Sequence, residues 1–222
     1  MLQKLPYTVN ALLLDKAQSS IPSVESKLTI NQPTGNFFYD PWEIKEEFKG
    51  TVWETLLNTL PLDLGEARII VLAHGTTYMS HTDIDDRYHL SIKGQYSFLI
   101  NVDDEKMYPT VADGQWYEMN TGLRHVAANF GSYDRSQLVV RKLLNNASLE
   151  NYTNVIIKPV CKNPRFEFDD LISPLLNSIN KQQLINNFSI LQDGVSFNLS
   201  TSAINELDSI DRNKFNIQLC ET

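Results

Sequence analysis

HTDIDDRYHLSIKGQYSFLI (residues 81–100) sets two strand-like runs, Arg87–Ile92 and Tyr96–Ile100, on either side of the turn former Lys93-Gly94. Asp85-Asp86 closes the stretch off upstream. A second stretch, GLRHVAANFGSYDRSQLVVRKLL (122–144), repeats the pattern, with Gly131-Ser132-Tyr133-Asp134 between two apolar runs. Short runs of β-branched and aromatic residues cut by Gly, Asn and Asp read as strands joined by tight turns, which makes an antiparallel architecture. Lys93-Gly94 is expected to close a hairpin, and Arg135 to open the strand that continues through Leu143. Upstream, Ile69-Ile70-Val71-Leu72 reads as a buried strand, and His74-Gly75-Thr76-Thr77-Tyr78 as a loop with a solvent-facing histidine. Periodicity alone establishes only antiparallel β.

The same stretches hold a set of metal-ligand residue types. In extended chain, side chains two apart point to one face, so His81 and Asp83 can converge on one ion. A second imidazole must come from another strand, and His125 is placed for it. Two imidazoles and one carboxylate on one side of a metal leave three positions open, an arrangement suited to non-haem Fe(II). His89 rivals His81 as a ligand, and the spacing to the carboxylate favours His81. Arg135 offers a guanidinium that can grip a carboxylate through two parallel hydrogen bonds. Arg141 shares its strand parity but lies six residues further on, about 20 Å at ~3.3 Å per residue.

His81-Thr82-Asp83, Arg87-Tyr88-His89-Leu90, His125 and Arg135 together resemble the aspartyl/asparaginyl β-hydroxylase-like branch of the Fe(II)/2-oxoglutarate-dependent dioxygenases, and are similar to bacterial proline cis-hydroxylases. That pattern is His-x-Asp, a second His several strands later, and an Arg shortly after it; here Asp83 and His125 are 42 positions apart and His125 and Arg135 are 10. The resemblance also takes in EARIIVLAHGTTYMSHTD (66–83), spans residues 66–144, and is absent from the last third of the chain. It implies a double-stranded β-helix (jelly-roll, cupin-like) with flanking helices. It further implies Fe(II) held by His81, Asp83 and His125 as metal ligands and catalytic residues, and 2-oxoglutarate as cosubstrate, its far carboxylate on Arg135 with His89 and Arg87 nearby. With O2, the implied products are succinate, CO2 and a hydroxylated amino acid, either free and proline-like or a side chain within a peptide. Halogenating relatives lack the carboxylate that Asp83 supplies, so its presence points to hydroxylation. Two alternatives stay open: a non-catalytic cupin-type protein that binds a small acid, and a metal-dependent isomerase or dioxygenase without 2-oxoglutarate. Neither requires a cation at the position of Arg135.

Further out the chain is less informative. Residues 1–40, with Pro22, Pro33-Thr34-Gly35 and Asp40-Pro41, suggest edge strands and loops. From Pro41, the residues Trp42, Ile44, Phe48, Val52, Trp53, Leu56, Leu57 and Leu60 recur at roughly helical spacing broken at Gly50, with Asp40 as a cap. Trp42 and Trp53 suit a core, or the wall of a substrate pocket. Asp85, Arg124 and Trp116 are each open to a substrate-facing or a packing role, and Asp103-Asp104-Glu105 reads as a solvated turn. A composition shift at Asn145–Asn151 divides residues 1–150 from a small C-terminal region, 151–222. There Val155–Ile157 is strand-like, Phe168–Ile172 and Leu175–Ile179 alternate with helix-like segments, and Gln182–Phe188 and Ser202–Leu207 have helical spacing, so an α-rich cap is expected.

At 222 residues and 42% hydrophobic the chain can bury a full core. A formal charge of −8 from 19 basic and 27 acidic residues disfavours a phosphate backbone as main partner, and the resemblance implies a small amino-acid or peptide substrate instead. Cys161 and Cys220 form no ligand pair and read as incidental thiols of a cytoplasmic protein. The apolar run Ala11–Leu14 is too short for a signal peptide or a membrane span, so no membrane partner is expected.

Overall fold

The computed structural model describes residues 1–21, 27–160 and 168–220; Pro22 and Cys161, singled out above, lie outside them. Two compact units result: Met1–Ser80 with Asp85–Leu143, and His81–Ile84 with Leu144–Thr222. The structure is mainly β, built from several antiparallel sheets.

The first unit carries β1 (Leu2–Thr8), β2 (Lys27–Thr29), β3 (Asn31–Pro33), β4 (Trp42–Ile44), β5 (Leu64–Leu72), β6 (Thr76–Thr77), β7 (Arg87–Lys93), β8 (Ser97–Asn101), β9 (Lys106–Pro109), β10 (Gln115–Met119), β11 (His125–Asn129) and β12 (Arg135–Lys142). A six-stranded sheet has the order β1-β10-β7-β12-β5-β2, a four-stranded sheet the order β6-β11-β8-β9, and β3 pairs with β4. From β5 onward the chain shuttles between the two larger sheets: β5, β7, β10 and β12 lie in one, and β6, β8, β9 and β11 in the other.

The expected hairpin at Lys93-Gly94 therefore does not form. Both edges of β7 are already hydrogen-bonded, to β10 and to β12, so β8 has no edge to join. Gly94 and Tyr96, at φ 55°, instead carry the chain across to the other sheet. A Cβ on Gly94 would fall 2.8 Å from Ser97 Oγ and 3.1 Å from the Thr110 carbonyl oxygen, which accounts for the glycine.

Strand alternation gives the six-stranded sheet two different faces. Ala67 and Ile69 of β5, Tyr88, Leu90 and Ile92 of β7, Trp116 of β10, and Leu138 and Val140 of β12 share one buried cluster with Leu14, Ala17, Trp53, Leu56, Leu57 and Leu60. Those last residues come from α1 (Ala11–Ser19), α2 (Val52–Asn58) and the turn after it. Trp116 is fully buried and donates from Nε1 to Thr59 Oγ1 at 2.9 Å, so it packs against the helices and does not face a substrate. Trp53 joins the same core. The opposite face carries Leu72 and Met119, which pack with Leu99 and Ala127 of the four-stranded sheet and join the two sheets.

Two helix expectations change. α1 lies where edge strands and loops were expected; Asn10 Oδ1 accepts from the Leu13 N–H at 2.9 Å and caps it, while Leu14 and Ala17 are its only buried residues. The long helix expected from Pro41 is broken up. Trp42–Ile44 is the strand β4, Glu46–Phe48 a 3-10 turn, and α2 begins only after Gly50, whose φ of +70° ends the preceding run. Thr51 Oγ1, not Asp40, is the cap, accepting from Trp53 N–H at 3.3 Å.

The second unit contains β13 (Tyr152–Pro159), α3 (Ser173–Lys181), β14 (Ile185–Leu191), β15 (Gly194–Ser200) and β16 (Phe215–Cys220), with a 3-10 helix at Thr201–Ser209. Its sheet runs β14-β15-β13-β16, so among the described residues the α-rich cap expected for 151–222 is a sheet with one α-helix. Gln182–Phe188 misled because Ile185 and Phe188 are both fully buried although three apart. Register between β14 and β15 shifts between Asn186 and Ser189, with Asn187 at φ 50°. One extra residue in a bulge turns a two-residue period into a three-residue one, which a sequence presents as helix. Val155 and Ile157 of β13 and Val195, Phe197 and Leu199 of β15 share one buried face. Asn177 of α3 donates to the Ile84 carbonyl at 3.0 Å. Among the described residues no helix is long and apolar enough to cross a membrane.

Candidate metal centre

His81 and Asp83 stand in the segment that leaves β6 and leads into β7, and His125 opens β11. One ligand atom from each of the three lies within 4.8 Å of the others. His81 Nε2 is 3.8 Å from Asp83 Oδ2, so the two side chains converge. His125 is buried, and its Nδ1 lies 2.9 Å from the Leu123 carbonyl oxygen. A carbonyl only accepts, so Nδ1 carries the hydrogen and the neutral ring keeps its lone pair on Nε2. Two imidazole nitrogens and a carboxylate oxygen form a donor set that fits a divalent transition metal.

On β7 and β12, the face away from the helices is polar and buried. Arg135 is 3% exposed, and its guanidinium donates through one terminal nitrogen to Gln137 Oε1. Gln137 Nε2 donates to Ser91 Oγ at 2.9 Å, and His89 Nδ1 sits 3.3 Å from the same Gln137 Oε1. Two buried atoms of this group lack a hydrogen-bond partner among the described residues: Arg135 Nε and His89 Nε2. Burial pulls the Arg135 guanidinium down to about 10, with the Tyr78 hydroxyl acting in the opposite direction, so it stays charged at neutral pH. Burial and then Arg135 push the His89 imidazole down to about 3, against the hydrogen bond it makes to Gln137 Oε1; the ring is neutral. Tyr78, whose backbone pairs with Ala127, has its phenol raised by burial against the pull of Arg135. A buried guanidinium with no carboxylate beside it among the described residues carries an uncompensated charge, and an incoming carboxylate would compensate it.

Sequence reading missed Gln137, Ser91 and Tyr78. The available signal was parity: Ser91 lies four residues after Arg87 and Gln137 two after Arg135, on the same strand faces.

Arg87 is buried and pairs with Asp85, while Asp85 also takes Arg141 at 2.7 Å. Asp85 is thus bound between two guanidinium groups. Arg141 reaches Glu66 at 3.1 Å, and Arg68 pairs with Glu66 as well. Burial pushes the Glu66 carboxyl up, but Arg68 and Arg141 outweigh it and hold the group at about 2. The sign follows from the depressed value: the stability it contributes is complete above about pH 4.5, its ordinary value, and lost as pH falls through about 2. Glu66→Gln is therefore expected to melt at a lower temperature than the wild type at pH 7 and to lose less on acidification from pH 5 to pH 2. Parallel melting curves over that range would count against the ion pairs.

The remaining candidates lie at the surface. His74 is exposed, with Nδ1 3.5 Å from Asp134, and Arg124 approaches Asp103 at 3.8 Å. Clefts of about 670 Å³ beside Lys16 and Trp53 and about 610 Å³ beside Trp42 and Asp63 are lined by none of the triad or inner polar residues.

No family model matches this chain, and no curated protein does. Among solved structures, the crystal structure of CapF with the inhibitor 3-isopropenyl-tropolone is similar at a TM-score of 0.32 and 16% identity, over 58% of this chain and 35% of that one. The chain thus spans about a third of CapF's length, and a likeness that weak carries no functional implication. The site itself defines the class: a two-histidine, one-carboxylate cluster able to bind a metal ion, on an antiparallel β scaffold.

Proposed function

We propose that this chain is a cytoplasmic Fe(II)/2-oxoglutarate-dependent dioxygenase that hydroxylates a small amino acid, free and proline-like or within a peptide. Residues 1–150 would form the dioxygenase domain and 151–222 a small C-terminal domain. The order β5-β12-β7-β10 in one sheet and β6-β11-β8-β9 in the other supports a double-stranded β-helix, in which successive strands alternate between two sheets. The observation that carries the reading is the pairing of a His81–Asp83–His125 donor set with a buried arginine that has no carboxylate of its own among the described residues.

In this reading a bound Fe(II) would supply the O2-activating redox chemistry by which 2-oxoglutarate, O2 and a C–H bond become succinate, CO2 and an alcohol. The chain's own residues do the rest. His81, Asp83 and His125 hold the ion, with the Leu123 carbonyl orienting the His125 ring. Arg135 neutralises the far carboxylate in a dry site, where a charge-assisted pair is strongest. His89 and Arg87 occupy inward positions of the neighbouring strand, Arg87 oriented by Asp85.

Anaerobic titration of the metal-free protein with Fe(II) and then 2-oxoglutarate tests the reading. A visible metal-to-ligand charge-transfer band is expected only when both are present, followed by succinate release on admitting air with amino acids. Bound iron without such a band would sink the cosubstrate assignment.

A further inference from the structure

The segment that carries His81 and Asp83 belongs to none of the strands, since β6 ends at Thr77 and β7 begins at Arg87. Its backbone has no ladder along its length to fix it, so its polar groups must be held in some other way. The four residues His81–Ile84 pack with Leu144–Thr222, while the chain on both sides of them, Met1–Ser80 and Asp85–Leu143, forms the other unit. Two of the three metal donors are thus set on the C-terminal region, to which the sequence resemblance does not extend.

Within that unit the segment is pinned on its inner side. Thr82 is buried between the partly exposed His81 and Asp83, the alternation of an extended piece of chain. Its hydroxyl has no hydrogen-bond partner among the described residues, so Thr82 holds by packing. Asn177 supplies a polar grip: its Nδ2 donates to the Ile84 carbonyl, one residue after Asp83, at 3.0 Å.

α3 maintains this grip against a penalty. Ser173, Asn177 and Asn180 are spaced i, i+4 and i+7 along one stripe of the helix, and all three are buried beside Leu176 and Ile179. A polar side chain so placed destabilises the fold unless it is hydrogen-bonded. Both asparagines turn their amides to the backbone of segments outside the strands. Asn180 Oδ1 accepts from the Asn145 N–H at 3.0 Å, and Asn177 donates to Ile84. The first bond serves a stretch without metal donors; the second serves the stretch that holds two.

We propose that Asn177 is a positioning residue of the metal centre, a role that rests on His81, Asp83 and His125 as metal ligands and not on 2-oxoglutarate. Through the Ile84 carbonyl it fixes the backbone that carries His81 and Asp83, so residues 144–222 take part in metal binding. An ion that meets ligands on a loose segment must order them as it binds, and one that meets a held segment does not. By reciprocity, a bound ion steadies α3 in turn.

Titration of the metal-free protein with Co(II) alone reads the affinity and, through the visible d–d bands, the donors around the ion. Asn177→Leu has nearly the same volume and no donor; it is expected to bind Co(II) about 10-fold more weakly, the lower end of what losing a partner behind a ligand costs, with altered bands. Asn180→Leu is the matched control, on the same helix and equally buried but without a bond to the ligand segment. Both variants should melt below the wild type, and only Asn177→Leu should lose affinity, because a helix that matters for folding alone would treat the two alike. In the wild type, Co(II) should slow amide exchange over Ser173–Lys181, a reading that needs no variant to fold. Wild-type affinity in Asn177→Leu, equal losses in both variants, or Co(II) that leaves exchange in α3 unchanged would overturn the proposal. His81→Ala tells the two failures apart: if it binds Co(II) as tightly as the wild type, the metal centre itself is wrong and the role of Asn177 falls with it.

Discussion

His125→Ala is expected to lower the affinity for Fe(II) by more than about 100-fold, because loss of a partner behind a metal ligand already costs 10–100-fold and here the ligand itself is removed. The fold should survive. The hydrogen bond from His125 to the Leu123 carbonyl is worth about 1 kcal/mol, and a 222-residue chain registers its loss as a few degrees in melting temperature. The buried residues that join the two sheets, Leu72, Leu99, Met119 and Ala127, are untouched. Anaerobic Fe(II) titration of wild type and variant, with melting curves on both, separates the metal effect from unfolding. Unchanged iron affinity in a folded His125→Ala protein would remove His125 from the centre and leave His81 and Asp83 as a two-ligand surface pair. His81 and Asp83 are each about a third or a quarter exposed, so the buried third ligand is what distinguishes this cluster from an ordinary surface ion pair.

How much of this was visible in the sequence depends on whether a feature is local. His81 and Asp83 converge because they are two residues apart in one segment, which a sequence displays directly. His125 lies 42 positions beyond Asp83, and nothing in the period of the strands selects it; only the combined spacing with Arg135 did. β7 and β12 were readable as strands, but the face of each that turns inward was not. Both faces of β12 are buried, one against helices and the other against a polar interior, so Ser136 and Gln137 sit side by side in sequence with equal polarity and only one belongs to the site. Gln137 was invisible for that reason. α1 was missed because Leu14 and Ala17 are a thin signal across its span, and β14 was misassigned because its bulge mimics a helical period. The paired edges of β7, which rule out the expected hairpin, are a tertiary fact with no local trace.

Arg135→Met is expected to act in opposite directions on stability and on binding. Arg135 is 3% exposed, has neither a carboxylate nor a partner for Nε among the described residues, and is held below its ordinary value by burial. An uncompensated buried cation destabilises the fold that contains it, and a methionine of similar length replaces it with apolar surface; such replacements of buried charge stabilise by roughly 1–4 kcal/mol. Gln137 loses a donor in the exchange, which offsets about 1 kcal/mol, and keeps its bonds to His89 and Ser91. A higher melting temperature, by several degrees, is the expected net result. Binding should move the other way. Removing one partner of a buried charge pair costs about 2–5 kcal/mol, so 2-oxoglutarate affinity should fall by roughly 30-fold to several thousand-fold while Fe(II) affinity, set by His81, Asp83 and His125, stays within about twofold. Calorimetry with each ligand, beside melting curves in their absence, measures all three quantities. A variant that gains stability and keeps its 2-oxoglutarate affinity would show that the anion seats elsewhere. One that loses stability would show that Arg135 serves the fold, and the strain of an unpaired guanidinium would then need a source other than a ligand.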